Sequence, residues 1–183
     1  ILSIIDSENA FKAHPELVSL MWSALIKIFN EEPDRTDFIL PLIGDIFEAS
    51  PGIINEKTEF ITKTVSSISD EKSAQPILHL IPYLNIDDLS ILLEKLLSIA
   101  DQFITEHNEI PKDLISDIDE SPLDDLTEPA VTKIIEFLKP NLTTPAGLSL
   151  FAPFAAHIAE KFGEKELFDV VDKCIGDSPI KIA

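Results

Sequence analysis

Apolar residues recur every three or four positions along most of this chain. The clearest run follows Pro15 and consists of Leu17, Leu20, Met21, Leu25, Ile28 and Phe29. This spacing places them on one face of an α-helix, and proline suits an early helical position, where its missing N–H costs nothing. Similar runs separated by short polar turns predict roughly nine or ten helices of about 10–18 residues.

The same pattern places individual helices. Asn55 can cap a third helix, and another is expected from Ala74 to Leu84. A long helix begins at Asp87, and the last one runs from Glu164 to Ile175. The chain is therefore expected to be helical almost throughout.

Proline occurs at comparable places in three apolar segments. Pro41 and Pro82 each lie late in a predicted apolar helix, which a polar turn and a longer helix then follow; they are 41 positions apart. Pro140 repeats the pattern after a longer gap, which an acidic insert would explain. Self-similarity with a period of roughly 20–50 residues is typical of helical-repeat proteins.

In this pairing of helices the chain resembles HEAT- and armadillo-type α-solenoids, whose first helix often carries an internal proline. The resemblance covers roughly residues 15–175 and implies a protein-binding scaffold. The arginine usual in the second part of a HEAT unit is missing. So is the Trp/Asn array by which some armadillo proteins hold basic peptides, because Trp22 is the only tryptophan. The resemblance therefore identifies no individual contact residue in this chain.

These patterns predict an all-α fold. We expect residues 1–183 to form a single helical-repeat domain of stacked antiparallel helix pairs, as in a segment of an α-solenoid. The alternative is a compact helical bundle without a binding groove. Short links between helices are compatible with both arrangements.

Charge and composition narrow the function. The formal net charge is −19, from 14 basic and 33 acidic residues. The basic residues are scattered singly and Arg35 is the only arginine, so direct binding of nucleic acid is not expected. No apolar run approaches the ~18 residues of a membrane span, and the single cysteine, Cys174, forms no internal disulfide. We expect an intracellular protein, cytoplasmic or nuclear, with no membrane contact.

The most acidic part of the chain is residues 106–128, which hold nine acidic residues against one basic residue, Lys112. We expect an acidic loop or insert here. Carboxylates at this density can hold a Lys/Arg-rich part of another protein, since complementary charge steers encounter. The candidate contact residues are Asp117, Asp119, Glu120, Asp124 and Asp125.

The same segment matches a calcium-loop template that begins at Asp117, with oxygen ligands at positions 1, 3, 5, 9 and 12. Pro122 stands where the template needs glycine, and Asp124 stands where an apolar residue is usual. A solvated acidic loop leading into a capped helix is the favoured interpretation, so no metal site is predicted.

Two single residues have alternative interpretations. Ser121, followed by Pro122, resembles a proline-directed phosphorylation site with exposed surroundings, although Ser-Pro is also a common N-cap pair. Trp22 lies one step from an apolar stripe, so it is either a core residue or an exposed anchor for a partner. The core position is favoured for Trp22.

No constellation of residues predicts catalysis or a cofactor. The four histidines are widely separated, and five isolated glycines cannot build a phosphate-binding loop. We therefore expect a non-enzymatic protein-binding scaffold or adaptor, either transport-receptor-like or a regulatory scaffold subunit. Its acidic surface favours basic partners. The alternative is a structural or oligomerisation bundle.

Overall fold

The computed structural model describes residues 14, 16–32, 35–50, 52 and 58–162, without the side chains of residues 36, 37, 156 and 160–162. Helices dominate this part of the chain and no strand occurs in it. The all-α prediction is confirmed. The α-helices are α1 (Glu16–Glu31), α2 (Thr36–Ala49), α3 (Thr58–Ser66), α4 (Glu71–Leu78), α5 (Ile86–His107), α6 (Lys112–Asp119), α7 (Glu128–Leu138) and α8 (Pro145–Phe162). Short 3-10 helices cover Ile81–Tyr83, Leu123–Asp125 and Lys139–Asn141.

Contacts divide the chain into two compact units, Ile1–Ser67 and Ile68–Ala183. In the first unit α1 packs against α2, and aromatic side chains of α1, α2 and α3 contact one another. Trp22 stacks on Phe47 with ring centroids 5.7 Å apart, and it meets Phe60 edge-on at 5.3 Å. Such pairs add to the free energy gained by burying the rings.

In the second unit, α-helices that are separated by one other α-helix along the chain pack together. Helix α4 contacts α6, α6 contacts α8, and α5 contacts α7. Helix α5 also contacts α8. The largest fully buried side chains of this unit include Leu78, Leu80, Ile81, Leu89, Leu92 and Phe154.

Side-chain caps fix the start of the long helix α5. Asn85 accepts a 2.8 Å hydrogen bond from the Asp88 backbone N–H, and its amide donates to the Asp88 carboxylate at 2.7 Å. The helix ends at His107, and the next residue, Asn108, caps it with a left-handed φ of 53°. Asparagine tolerates this conformation better than most residues. The prediction of a long helix near Asp87 is confirmed.

The helix predicted from Ala74 to Leu84 is shorter and begins earlier. Asp70 and Ser73 form a capping box that starts α4 at Glu71, and the α-helix ends at Leu78. Pro82 lies in the following 3-10 helix. Pro41, by contrast, lies inside α2, so the predicted equivalence of these two prolines is wrong.

Pro140 does match Pro82, since each lies in a short 3-10 helix between a shorter and a longer α-helix. The predicted cap at Asn55 and the predicted helix from Glu164 to Ile175 lie outside the described residues. Within the described ranges, no helix combines the length and apolar character needed to cross a membrane.

Candidate functional site

The acidic segment, residues 106–128, is not a loop throughout. It contains α6 and the 3-10 helix Leu123–Asp125. Leu114, Ile118 and Leu123 are at most 1% exposed, so the apolar side of the segment is part of the core. Because the apolar side of α6 faces the core, most carboxylates of α6 lie on its other sides. Some of them therefore lie next to the helix that packs beside α6.

That neighbouring helix is α4, and between the two lies a cavity of about 590 Å³ that we call the acidic cleft. Carboxylates come from both of its walls. Lys72 is the one basic side chain among the described residues that line it. The lining residues are Asp70, Glu71, Lys72, Gln75, Asp113, Ser116 and Asp117.

Asp117 is held in the cleft by a hydrogen bond from α4. The Gln75 Nε2 donates to the Asp117 Oδ1 at 3.0 Å. Partial burial raises the pKa of Asp117, and the nearby carboxylates of Glu120 and Asp113 raise it further. The hydrogen bond from Gln75 and the nearby His79 lower the pKa of Asp117, but by less than the other causes raise it.

Glu71 lies in the first turn of α4 and has an oxygen, Oε1, that is buried without a hydrogen-bond partner among the described residues. Burial raises the pKa of Glu71. A hydrogen bond from the Leu114 backbone N–H lowers this pKa by less than burial raises it, and the charges of Asp113 and Asp117 raise it further. The cleft thus contains carboxylates that are costly to keep ionised.

The other predicted contact residues lie elsewhere on the segment. Asp119, Glu120 and Asp125 are exposed. The Asp124 Oδ1 lies 2.8 Å from the His157 Nδ1, and this contact links the second 3-10 helix to α8. Only Asp117 among the five predicted contact residues lines the cleft.

Sequence reasoning did not select Glu71. It belongs to a stretch interpreted as a polar turn, and no pattern in the sequence pairs α4 with α6. Asp70 is a residue type preferred at the N-cap, and a helix capped by it would begin at Glu71, as α4 does.

The geometry around Asp117 does not resemble a calcium loop. Asp117 lies within α6 and accepts from Gln75, whereas Asp124 faces His157. In the part of the chain that the structure describes, no group of three or more His, Cys, Asp or Glu side chains is placed to hold a metal ion.

Ser121 is 7% exposed, and its hydroxyl donates a 2.6 Å hydrogen bond to the Ile118 carbonyl. The expectation that its surroundings are exposed is wrong, because the hydroxyl closes the C-terminal end of α6 and turns inward. A kinase would need this turn to open before it could reach the hydroxyl.

A second cavity, of about 440 Å³, lies between α1 and α3 in the first unit. Trp22, Ile26, Phe29 and Phe60 form its apolar wall, while Glu59 and Lys63 belong to its polar rim. Trp22 itself is 7% exposed. It therefore belongs to the core and forms part of a wall, rather than projecting as an anchor.

Comparison of the chain with family models, with curated proteins and with solved structures found no match.

Proposed function

We propose that this chain is a non-enzymatic protein-binding scaffold or adaptor, and that its acidic cleft binds a Lys/Arg-rich segment of a partner protein. One observation carries the proposal. Glu71 on α4 and Asp113 and Asp117 on α6 line the same cavity, which is large enough to take a long cationic side chain. This binding chemistry would suit a transport-receptor-like protein and a regulatory scaffold subunit equally. A cytoplasmic or nuclear location is part of both versions of the proposal.

The electrostatics of the cleft favour a cation. Ionised carboxylates on its walls repel one another, and burial removes the water that would stabilise them. An ammonium or guanidinium group would offset both costs, and the unpartnered Oε1 of Glu71 is an acceptor for its N–H. The net charge of −19 would speed the approach of a basic partner.

A binding experiment tests the proposal directly. Fluorescence anisotropy at low salt would compare a labelled Lys/Arg-rich peptide with a matched peptide in which glutamine replaces each basic residue. We expect binding of the basic peptide only, and a loss of affinity of roughly tenfold or more in the double variant Glu71→Gln/Asp117→Asn.

Glu94→Gln/Asp101→Asn is the matched control, since both residues are exposed carboxylates on α5 that lie outside the cleft. It removes two charges, as the cleft variant does, and should leave the affinity nearly unchanged. Equal losses in the control and in the double variant would show that only the overall charge matters. No binding of the basic peptide at low salt, where screening is weakest, would overturn the proposal.

For the architecture we propose a segment of an α-solenoid. The contacts of α4 with α6, α6 with α8, and α5 with α7 support it, because stacked helix pairs place alternate helices side by side. The contact between α5 and α8 favours the alternative, a compact bundle.

Small-angle scattering separates the two arrangements. A compact chain of 183 residues has a radius of gyration of about 16 Å, and an open solenoid has a larger one.

The second candidate function is a structural or oligomerisation bundle. Leu20 on α1 and Phe38 on α2 favour it, since they are 66% and 54% exposed. Large apolar side chains at the surface can be buried between copies of a chain. A mass that rises with concentration in sedimentation, together with no binding of basic peptides, would support this candidate in place of the scaffold.

A further inference from the structure

We propose that the cavity between α1 and α3 binds a free aromatic amino acid or a close analogue, a small molecule with an aromatic ring and a zwitterionic head. We call this cavity, whose apolar wall consists of Trp22, Ile26, Phe29 and Phe60, the aromatic pocket. The inference goes beyond the proposed function, because it concerns a small ligand and the first unit, whereas the acidic cleft lies in the second unit.

The size of the aromatic pocket suits a small molecule. Its volume is about 440 Å³. Pockets that hold small ligands in proteins typically measure about 300–1,000 Å³. Ile26, Phe29 and Phe60 are only half-buried, so part of their apolar surface remains open to water. A ligand that covers this surface gains the free energy of removing it from water.

The aromatic rings of the wall are set nearly at right angles to one another. Phe29 and Phe60 have ring centroids 5.2 Å apart and planes at 74°, and Trp22 meets Phe60 at 86°. Aromatic pairs are favourable when the rings stack with an offset or meet edge to face. Because the wall presents rings in more than one orientation, an entering ring can make such a contact. A rigid ring also loses less conformational freedom on binding than a flexible alkyl chain.

The rim of the pocket carries two opposite charges that are not paired with each other. Glu59 lies in the first turn of α3 and Lys63 in its last turn, and both are exposed. Side chains four positions apart are neighbours on one face of a helix. Within the described part of the chain, neither side chain makes an ion pair or a hydrogen bond. A ligand with one ammonium and one carboxylate group can therefore pair with both and displace no existing contact.

The hydroxyl groups of the pocket favour the ammonium end of such a ligand. The Thr64 hydroxyl donates to the Phe60 carbonyl at 2.7 Å, and the Ser67 hydroxyl donates to the Thr64 carbonyl at 2.7 Å. A hydroxyl has one O–H and two lone pairs, so both oxygens can still accept a hydrogen bond but have no donor left. An ammonium group, with three N–H donors, matches these oxygens and the Glu59 carboxylate. Lys63 is the one basic side chain among the described residues of the pocket, and it suits the carboxylate of the ligand.

A set of ligands with the same benzene ring tests the proposal on the whole chain. L-phenylalanine carries both charges, phenethylamine only the ammonium, phenylpropionate only the carboxylate, and N-acetyl-L-phenylalaninamide neither. Trp22 is the only tryptophan and lies in the wall, so its fluorescence reports binding at wavelengths that these ligands do not absorb. We expect saturable binding of L-phenylalanine with a Kd of about 1 mM or lower. The other ligands should bind several-fold more weakly, since each lacks at least one exposed ion pair.

Two rim variants assign the charges of the ligand. Lys63→Gln should remove the preference for L-phenylalanine over phenethylamine, and Glu59→Gln should remove the preference over phenylpropionate. Both residues are exposed, so the variants should fold as the wild type does. Lys27→Gln on α1 and Glu48→Gln on α2 are the matched controls, because each makes the same charge change at an exposed position outside the pocket. Both controls should keep both preferences.

The proposal is overturned if L-phenylalanine causes no saturable change in fluorescence, or if phenethylamine or phenylpropionate binds as tightly as L-phenylalanine. Equal binding of N-acetyl-L-phenylalaninamide would also overturn it, because the pocket would then accept an aromatic side chain within a polypeptide. So would rim variants that keep the preferences of the wild type, or a control that loses them. None of these results depends on whether the acidic cleft binds a basic peptide, which is measured separately.

Discussion

Glu71 and Asp117 show what a residue's neighbours add to its chemistry. Each is an ordinary carboxylate in the sequence, and Asp117 differs little from the eight other acidic residues of its segment. The packing of α4 on α6 brings Glu71 next to Asp113 and Asp117, and it brings Gln75 next to Asp117, whose own carboxylate neighbours lie on α6. The sequence predicted that the acidic segment matters, but it could not predict which carboxylates meet, because Gln75 and Asp117 are 42 positions apart.

Gly147 carries a prediction at the residue scale. A Cβ at this position in α8 would lie 2.0 Å from the Asn141 carbonyl oxygen, so Gly147→Ala forces the 3-10 helix Lys139–Asn141 and α8 apart. We expect a loss of about 1–3 kcal/mol in the free energy of unfolding, measured by urea denaturation.

Gly52→Ala is the matched control for Gly147→Ala. Gly52 is helical and exposed, and no described atom lies within 4 Å of its Cβ position. Alanine should leave stability unchanged or raise it by up to about 1 kcal/mol, since glycine is a poor helix former. If both variants had the same stability, the close approach at Gly147 would not constrain the fold.

At the scale of elements, the three- and four-residue spacing of apolar residues predicted helices correctly where capping residues and prolines agreed with it. The long α5 begins next to the predicted Asp87, and Pro145 lies at the first position of α8, where its missing N–H costs nothing. The prediction failed between residues 74 and 84, where an apolar run continues past the end of α4. Buried apolar residues are common in turns as well as in helices, so spacing alone does not show where a helix ends.

The two phenylalanines of α2 test whether the aromatic cluster holds the first unit together. Phe47 is fully buried and stacks on Trp22, whereas Phe38 on the same helix is 54% exposed. We expect Phe47→Ala to cost about 3–5 kcal/mol, because it removes a large buried side chain. Phe38→Ala should change stability by about 0.5 kcal/mol or less.

Trp22 reports on this unit, since it is the only tryptophan and it contacts Phe47. Unfolding would be followed by its fluorescence in urea. Equal losses of unfolding free energy in the two variants would mean that the aromatic cluster stabilises the unit no more than a surface contact does. A larger loss in Phe38→Ala would indicate that the Phe38 side chain is buried between copies of the chain.

At the scale of the whole molecule, the proposed function assigns the excess of negative charge and the acidic cleft to the same basic partners, acting over different distances. The net charge attracts any basic molecule across about 10 Å of dilute electrolyte, without selecting among them. The cleft can select, because its carboxylates lie at fixed positions on two packed helices. Composition predicted the first effect, and only the structure suggests the second.

Protons and a basic partner should then compete, which gives the last prediction. If the cleft binds a cationic segment, that binding requires ionised Glu71 and Asp117, whose pKa values are raised in the free chain. Affinity for a Lys/Arg-rich peptide should therefore fall between about pH 7.5 and about pH 5, at constant ionic strength, by several-fold. Isothermal titration in two buffers of different ionisation enthalpy would detect the protons released on binding at the lower pH. An affinity that is equal at both pH values would place the peptide on fully exposed carboxylates outside the cleft.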